Sequence, residues 1–503
     1  MERVLDEARR IRGRNMSRAA ASRNAHDGPE QVPLVIDLDG TLVKSDLLVE
    51  GMLQLVRRNP LSALQMFAWL LRGKAGFKEE IASRIELDAS SLPYQAEVLH
   101  LAAAAKADGR QVVLATAAAE KHAHAIARHA AVFDRVLSTG NGINLSGRRK
   151  AELLVRIYGE RGFDYAGNDR ADLPVWKAAR RAIVVNPAPG LLAAVRGANS
   201  EVDRVFDDRP QLATSLVKQL RIHQWAKNLL IFVPAVAAHR LGDAAAIASC
   251  LLGFAALSLT ASAVYIINDL LDLPHDRRHP SKRSRPFAAG NLALRSGLVL
   301  APALLLAGAA TGLVVSPAFA GTLAAYFAAT LAYSAFFKRF AIVDVIFLAG
   351  LYTVRVLAGS AAIPVAPSFW LLVFSIFLFL SLAMAKRYVE LRRLAGEGRI
   401  AASGRGYAAQ DVDMVGALGS GSGLISVLVL ALYINSPNVV ELYRSPLVLS
   451  LLCPILLYWV SRVWLLAHRG LMHEDPVIFA FRDATSLALG VVSAGVIAIA
   501  TLV

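Results

Sequence analysis

Long apolar segments fill the second half of this chain, and most of them have the length needed to cross a lipid bilayer. A helix rises about 1.5 Å per residue, so about 20 apolar residues cross the hydrocarbon core. The pattern predicts nine spanning helices, the first of which continues an amphipathic entry helix, at 228–239, 244–267, 296–315, 317–336, 342–363, 368–385, 414–434, 446–467 and 484–503. Residues 209–503 are therefore predicted to form an all-α polytopic membrane domain.

Composition agrees with a membrane protein that carries a soluble part. The chain has 503 residues, 55% of them hydrophobic, which is too long for one domain and too apolar for a fully soluble protein. Its net charge of +15 comes from cations spread over loops, and no module that combines aromatic and basic residues is visible, so nucleic acid is not expected as a partner. Cys250 and Cys453 both lie in apolar segments, which implies neither a disulfide framework nor a thiolate metal site.

The distribution of Lys and Arg predicts the orientation of the membrane domain. One set of loops carries many cations, whereas the opposite set carries only Arg240 and Arg444. Cytoplasmic loops are enriched in Lys and Arg, so the cation-rich side is predicted to be cytoplasmic in a bacterial-type plasma membrane. The N-terminal part precedes the first span on that same side.

Before the apolar segments, the chain alternates between strand and helix patterns. Residues 1–30 are Arg-rich without an apolar core and are expected to be a flexible leader. Residues 31–208 are predicted to form an α/β domain with a mostly parallel sheet, in which a helical insertion at 46–105 makes a cap. The strand candidates are 32–37, 111–116, 134–138, 163–167, 181–186 and 202–206.

The first predicted strand ends in the sequence Asp37-Leu38-Asp39-Gly40-Thr41. Carboxylates at the C-terminal end of a parallel strand lie where open α/β sheets bind ligands. DxDGT resembles the first motif of the haloacid dehalogenase superfamily, and candidates for the later motifs follow in order. The resemblance implies that Asp37 attacks phosphorus, that Asp39 acts as general acid and base, and that Thr116 and Lys150 hold the phosphoryl oxygens.

The last of these motifs departs from the family pattern. Asn168 follows Gly167 where the family has an acid, which leaves Asp169 and Asp172 as the carboxylates that would join Asp37 and Asp39 around Mg²⁺. Two interpretations remain open, a working phosphatase and a degenerate domain with a regulatory role.

An Asp-rich segment, residues 268–285, follows the second apolar segment. Asn268, Asp269, Asp272 and Asp276 are spaced by one, three and four residues, so a continuous helix would place the three carboxylates on one face. Clustered carboxylates at a membrane boundary are costly unless a cation joins them, and we expect Mg²⁺ to bridge them to a diphosphate. The cations that would bind the outer oxygens are Lys282, Arg283 and Arg285.

This segment resembles the first aspartate-rich motif of the UbiA-type intramembrane prenyltransferase superfamily, and within it the decaprenyl-phosphate phosphoribosyltransferase branch. The entry helix supports the narrower resemblance, because its QWxKN pattern contains Lys227 and Asn228, which could meet phosphate. Simple anchoring at the membrane interface is the alternative for this pair.

Further polar residues stand inside or at the ends of the apolar segments. Arg355 is the most informative, because an unpaired cation within a span costs about 2.5–3.5 kcal/mol and therefore needs an anionic partner. The remaining candidates for substrate binding are Tyr333, Lys338, Lys386 and Arg387.

The segment after 368–385 begins with cations and lacks the second aspartate pair of the aromatic prenyltransferases. The resemblance therefore favours transfer of phosphoribose from phosphoribosyl pyrophosphate to a polyprenyl phosphate, with a fused phosphatase that would remove the 5-phosphate of the product. The alternatives are an aromatic, 4-hydroxybenzoate-type polyprenyltransferase with an accessory domain, and a transporter or scaffold. Prenyl chain length and oligomeric state stay open.

Overall fold

The computed structural model describes residues 32–71, 73–140, 143–198, 201–398, 405–472 and 475–502, so the predicted leader lies outside the described residues. The chain forms two compact units. The first contains the residues up to Gln219 together with Ile266–Val299, and the second contains Leu220–Tyr265 and Leu300–Val503.

A six-stranded parallel sheet is the centre of the first unit. All six predicted strands are confirmed. The strand order is β3-β2-β1-β4-β5-β6, the doubly wound order, in which the order of successive strands reverses between β1 and β4. The strands are β1 (Leu34–Ile36), β2 (Val112–Ala119), β3 (Arg135–Thr139), β4 (Asp164–Gly167), β5 (Arg181–Val185) and β6 (Glu201–Phe206).

Both faces of this sheet are covered, which explains why the central strands are continuously apolar rather than alternating. Leu34 and Ile36 pack into one hydrophobic cluster, whereas Val35 packs into another on the opposite face, as the two-residue period of a strand requires. Trp176 is fully buried in the second cluster and donates its indole N–H to the Tyr165 carbonyl at 3.2 Å.

Helices fill the insertion between β1 and β2 and cover the rest of the sheet. Asp46 caps the first of them by accepting hydrogen bonds from Leu48 N and Val49 N. The helices of the N-terminal region are α1 (Leu47–Arg58), α2 (Ser62–Leu70), α3 (Gly73–Arg84), α4 (Ala96–Ala107), α5 (Glu120–Ala130), α6 (Arg148–Tyr158), α7 (Leu173–Ala178), α8 (Leu191–Gly197) and α9 (Leu212–Leu220).

The membrane region is entirely helical over its described residues, as predicted. After a 3₁₀ helix at Ile222–Phe232, its helices are α10 (Val233–Ala237), α11 (Ala244–Leu271), α12 (Leu273–Arg278), α13 (Leu294–Val315), α14 (Pro317–Ala335), α15 (Val343–Ala362), α16 (Phe369–Gly396), α17 (Val412–Ile434), α18 (Pro437–Val440), α19 (Leu452–His468), α20 (Pro476–Ala480) and α21 (Ala484–Leu502).

The described residues contain eight helical segments long and apolar enough to cross a membrane, which makes this a multi-pass membrane protein. The prediction of nine was wrong, because residues 228–239 do not form a spanning helix. A 3₁₀ helix ends at Phe232, and α10 after it has only five residues. Twelve residues with two helix types are too short to cross about 30 Å of hydrocarbon.

Candidate active sites

The loop after β1 holds the two carboxylates that the sequence singled out. Gly40 has a φ of +79°, and a Cβ there would lie 2.1 Å from Asn168 Nδ2, so only glycine fits. Thr41 Oγ1 donates to Asn168 Oδ1 at 3.2 Å, and Leu47 N donates to Asp39 Oδ1 at 3.0 Å. The loop therefore packs tightly on the residue that replaces the expected acid.

A buried hydrogen-bond network holds the Asp37 side chain in place. Lys150 Nζ donates to Asp37 Oδ1 at 2.7 Å and to Tyr165 Oη at 2.9 Å, and the Tyr165 hydroxyl donates to Asp172 Oδ1 at 2.7 Å. Burial raises the pKa of Asp37 to about 6, although the Lys150 ammonium opposes the shift. Burial and the Asp46 carboxylate raise the pKa of Asp39 to about 8. A cation bound between the two carboxyl groups would favour their ionised forms.

The remaining predicted metal ligands, Asp169 and Asp172, hold the neighbouring turn together. Asp172 Oδ2 accepts from Asn168 N and Asp169 N, each at 3.2 Å, and Asp169 Oδ1 accepts from Ala171 N at 2.9 Å. Among the described residues, no group of three or more His, Cys, Asp or Glu side chains is arranged for a metal ion. Asp37, Asp39 and Asn168 line the same cavity, and their side-chain oxygens are of the kind that suits Mg²⁺.

Thr116 does not reach the cavity above these carboxylates. Its hydroxyl is fully buried and accepts from Ala118 N at 2.9 Å, and the cavity wall beside it is formed by Ala117, Ala118 and Ala119. Thr116 therefore bonds within the last part of β2, where the pairing with β3 shifts register, and the residues after it line the cavity.

The cavity over Asp37 has a volume of about 1000 Å³, and sequence analysis missed four cations in its wall. These are Lys44, the α3 residues Lys74 and Lys78, and Arg295 of α13. Lys78 Nζ donates to Ala117 O at 2.7 Å and to Asn144 Oδ1 at 2.9 Å, and burial lowers the pKa of its ammonium. The only signal in the sequence was the four-residue spacing of Lys74 and Lys78 in a polar stretch, which also fits a solvated helix surface.

The Asp-rich segment is not one continuous helix. α11 ends at Leu271, and Asp272 stands between it and α12, whose second residue is Pro274. Asp272 has φ −95° and ψ 11°, so the helix is interrupted at this residue. Asp272 Oδ1 lies 3.1 Å from Arg57 Nη2, whereas Asp269 and Asp276 both pair with Arg285.

Asp269 and Asp276 do converge, and both are buried. Arg285 Nη1 lies 3.0 Å from Asp269 Oδ1 and 2.6 Å from Asp276 Oδ2, and Gln219 Nε2 donates to Asp269 Oδ2 at 2.9 Å. Burial raises the pKa of Asp276, although Arg285 opposes the shift. A positive group therefore already stands between two carboxylates. Asn268 and Lys282 are half-buried nearby in sequence, and Arg283 is exposed.

In the second unit, Lys227 and Lys386 share one carboxylate that the sequence analysis did not identify. Their Nζ atoms lie 2.9 and 2.8 Å from Asp475 Oδ2, and the Tyr352 hydroxyl donates to Asp475 Oδ1 at 3.3 Å. Burial raises the pKa of Asp475, but the two ammonium groups outweigh it and hold that pKa well below its usual value. Lys227 and Asp475 are 248 residues apart, so no local pattern links them.

Arg355 lies in the same unit and is buried among neutral partners. Its Nε donates to Asn228 Oδ1 at 2.9 Å and its Nη2 to the Tyr326 hydroxyl at 2.9 Å. The guanidinium also stands over the rings of Tyr326 and Tyr352. Within the described ranges it forms no ion pair, so the anionic partner expected for it is not a carboxylate of those residues.

Arg387 and Tyr333 belong to a separate, fully satisfied group. Arg387 Nε donates to Asp344 Oδ2 at 2.6 Å, its Nη2 donates to the Tyr333 hydroxyl at 3.3 Å, and the Tyr407 hydroxyl donates to Asp344 Oδ1 at 2.6 Å. This buried ion pair ties α15 to α16. Lys338 is half-buried in a 3₁₀ turn, Phe337–Arg339.

Comparison with protein families matches residues 229–475 to the UbiA prenyltransferase family. A Sinorhizobium fredii protein named "Uncharacterized protein y4nM" is 37% identical over 461 residues, which cover 92% of this chain and 89% of that protein. The "Decaprenyl-phosphate phosphoribosyltransferase" of Mycobacterium tuberculosis is 33% identical over 193 residues, which cover 38% of this chain and 64% of that protein.

Two solved structures are also similar. A UbiA homologue from Archaeoglobus fulgidus bound to GPP and Mg²⁺ has a TM-score of 0.45 at 15% identity, over 56% of this chain and 99% of that chain. A phosphoserine phosphatase in apo form has a TM-score of 0.25 at 16% identity, over 35% of this chain and 92% of that chain. Through residues 229–475 of its membrane region, the chain belongs to the UbiA prenyltransferase family.

Proposed function

We propose that this membrane transferase moves phosphoribose from phosphoribosyl pyrophosphate to a polyprenyl phosphate, with its active sites on the cytoplasmic side. In the reaction, the bond between the ribose anomeric carbon and the diphosphate breaks, and a lipid phosphate oxygen forms the new bond to that carbon. The partial match to a decaprenyl-phosphate phosphoribosyltransferase supports this substrate pair.

The observation that carries the proposal is the cation cluster, by which we mean Lys227, Arg355 and Lys386 with Asp475. Two ammonium groups, Lys227 and Lys386, share the carboxylate of Asp475, and the buried Arg355 guanidinium is bonded to neutral groups. Uncompensated charge in such surroundings is costly, and a phosphate group would provide the missing negative charge. Arg355 is the strongest candidate for phosphate contact, because its present partners are neutral.

The Asp-rich segment would bind the diphosphate end of the donor. Its two converging carboxylates, Asp269 and Asp276, already hold a positive group between them, so they suit Mg²⁺. When bound, Mg²⁺ supplies positive charge that stabilises the departing diphosphate. Arg285 would then be released to bind a diphosphate oxygen, with Lys282 and Arg283 beside it in sequence.

The N-terminal cavity would remove the 5-phosphate from the product. Asp37 would attack phosphorus, and Asp39, whose pKa is raised to about 8, would give its proton to the departing ribose oxygen. Water then releases inorganic phosphate from Asp37 with Asp39 acting as base. Lys150 would hold Asp37 in position and offset negative charge on the phosphoryl oxygens.

A two-donor assay on the purified full-length protein tests this function. Labelled phosphoribosyl pyrophosphate is mixed with polyprenyl phosphate in one tube, and a prenyl diphosphate is mixed with 4-hydroxybenzoate in the other. We expect labelled lipid only in the first tube. Product only in the second tube would replace the proposal with an aromatic prenyltransferase, and product in neither would argue against both.

The phosphatase step is measured separately in the same preparation. Wild-type protein should yield lipid-linked ribose without its 5-phosphate, whereas Asp37→Asn should leave the 5-phosphate in place. Accumulation of the intact phosphate by wild-type protein in Mg²⁺ would favour a regulatory N-terminal domain.

A further inference from the structure

Helix α2 and the two residues that flank it expose an apolar ridge, which we define as Leu61, Leu64, Phe67 and Leu71. Their exposed fractions are 67%, 69%, 71% and 89%. Steps of three and four residues place all four side chains on one side of the helix. Contiguous exposed apolar side chains of this size indicate a surface that contacts another apolar phase.

The exposure does not come from a poorly anchored helix. Met66 and Trp69, on the opposite side, are buried in a hydrophobic cluster with Phe77 and Ile81 of α3. The Arg84 guanidinium also stands over the Trp69 ring, 4.4 Å from its centroid. One side of α2 is thus fixed to the cap while the ridge points outward.

The residues just before the ridge contact the end of a spanning helix. Arg57 Nη1 donates to the carbonyl of Leu271, the last residue of α11, at 3.1 Å. The other guanidinium nitrogen, Nη2, lies 3.1 Å from Asp272 Oδ1. Only three residues separate Arg57 from Leu61. The ridge therefore begins beside the end of a candidate membrane span.

Charges next to the ridge fit a lipid surface. Arg58 precedes it and Lys74 follows it, and both are exposed. An amphipathic helix that lies in the plane of a membrane combines an apolar face with flanking cations, which attract anionic headgroups. A second copy of this chain would satisfy the apolar face but would gain nothing from these cations.

We infer that the apolar ridge inserts into the headgroup region of the bilayer that the chain itself spans. The contact has a consequence for the cavity over Asp37, because Leu70, adjacent to the ridge, lines that cavity together with Lys74 and Phe77. A phosphate carried by a membrane lipid would reach the cavity along this path. The lipid contact stands apart from the proposed function, whereas the access path rests on it.

Fluorescence quenching in nanodiscs tests the contact directly. Full-length protein with Cys250→Ala and Cys453→Ala carries either Phe67→Cys or the control Glu152→Cys, each labelled with bimane. Glu152 is an exposed residue of α6. The nanodiscs contain phosphatidylcholine with a nitroxide on its acyl chain, mixed with phosphatidylglycerol. The nitroxide should at least halve the bimane fluorescence at position 67 and leave the fluorescence at position 152 unchanged. Equal quenching at positions 67 and 152 would overturn the inference. A loss of fluorescence at 67 that needs two labelled copies, and not the nitroxide lipid, would also overturn it.

A second measurement uses unlabelled protein that keeps both native cysteines. Leu64→Asp and Phe67→Asp change exposed side chains and should leave hydrolysis of p-nitrophenyl phosphate unchanged. Hydrolysis of a lipid-linked phosphoribose in the same nanodiscs should fall about ten-fold. Equal loss on both substrates, or no loss on either, would contradict the access path. If wild-type protein hydrolyses neither substrate, the phosphatase proposal fails, and the quenching result still decides the lipid contact.

Discussion

The cavity over Asp37 and the cation cluster have opposite charge balances. At the centre of the first, the carboxyl groups of Asp37 and Asp39 stand beside Lys150, with further cations in the cavity wall, and burial raises the pKa of both carboxyl groups. In the second, three cations stand with the single carboxylate of Asp475. The centre of the first region therefore has more carboxyl groups than cations, whereas the second region has more cations than carboxylates.

This difference indicates what each region binds. Buried carboxylates that face one another suit a divalent cation, which in turn attracts a phosphoryl group. Buried cations without enough carboxylates suit a phosphate directly. The two regions therefore represent two ways to hold phosphate, one through a metal and one through side chains alone.

Asp37→Asn should have the largest effect, since it removes the proposed nucleophile. We expect phosphate release to fall by at least about 10³-fold, because no other group at this position can form the aspartyl phosphate. Transfer of phosphoribose should stay unchanged. Asp203→Asn, which alters an exposed carboxylate of β6, is the matched control. A parallel loss of transferase activity in Asp37→Asn would mean that the two regions are not independent.

Asp475→Asn should destabilise the cation cluster, because it leaves two ammonium groups without their shared partner. Breaking a buried ion pair in this way costs about 3–5 kcal/mol. Thermal unfolding in detergent should therefore begin at a lower temperature, and added pyrophosphate should restore the variant more than it stabilises the wild type. Equal stabilisation of both proteins by pyrophosphate would show that no anion replaces the carboxylate.

Arg355→Gln should weaken substrate binding more than it affects stability. A hydrogen bond to a charged group contributes about 1.5–3 kcal/mol, so KM for the phosphate-bearing substrate should rise roughly 10- to 100-fold. Arg462→Gln is the control, because Arg462 is already paired with Asp483 at 2.6 Å. The same rise in KM for both variants would remove Arg355 from the proposed phosphate site.

Asn168→Asp should have the smallest effect, and it tests whether the cavity over Asp37 binds Mg²⁺ through this position. It restores an acid beside Asp39 without changing side-chain size, so the Mg²⁺ concentration needed for half-maximal phosphatase activity should fall roughly ten-fold. Without Mg²⁺ the variant should unfold at a lower temperature than wild type, because a third carboxylate adds repulsion. An unchanged Mg²⁺ requirement would exclude Asn168 from the metal site.

Most of the fold could be predicted because its determinants are local. The six strands are short apolar runs, and the spanning helices are long ones, so hydrophobicity and length alone separate them. The error at 228–239 has the same origin. That stretch is apolar enough to resemble a span, but Pro234 and the buried polar side chains of Lys227 and Asn228 belong to a short, irregular entry segment.

The candidate sites were predicted less completely, because side-chain partners depend on packing. Spacing alone grouped Asp269, Asp272 and Asp276, whereas in the structure Asp272 pairs with Arg57 and the other two pair with Arg285. Arg387 was expected to bind substrate, yet its closest groups are Asp344 and Glu390. Thr116 was expected to hold phosphoryl oxygens, yet its hydroxyl accepts a hydrogen bond from Ala118 N within β2.

The sequence by itself determined the two kinds of region, the membrane spans, the parallel strands and the position of Asp37 at a strand end. These depend on hydrophobicity and periodicity within a few neighbouring residues. Only the tertiary structure decided that Lys227 and Lys386 share Asp475, that Arg285 joins Asp269 to Asp276, and that Lys78 faces the cavity over Asp37. Such contacts form between residues far apart in the chain, where packing and charge, rather than local pattern, select the partners.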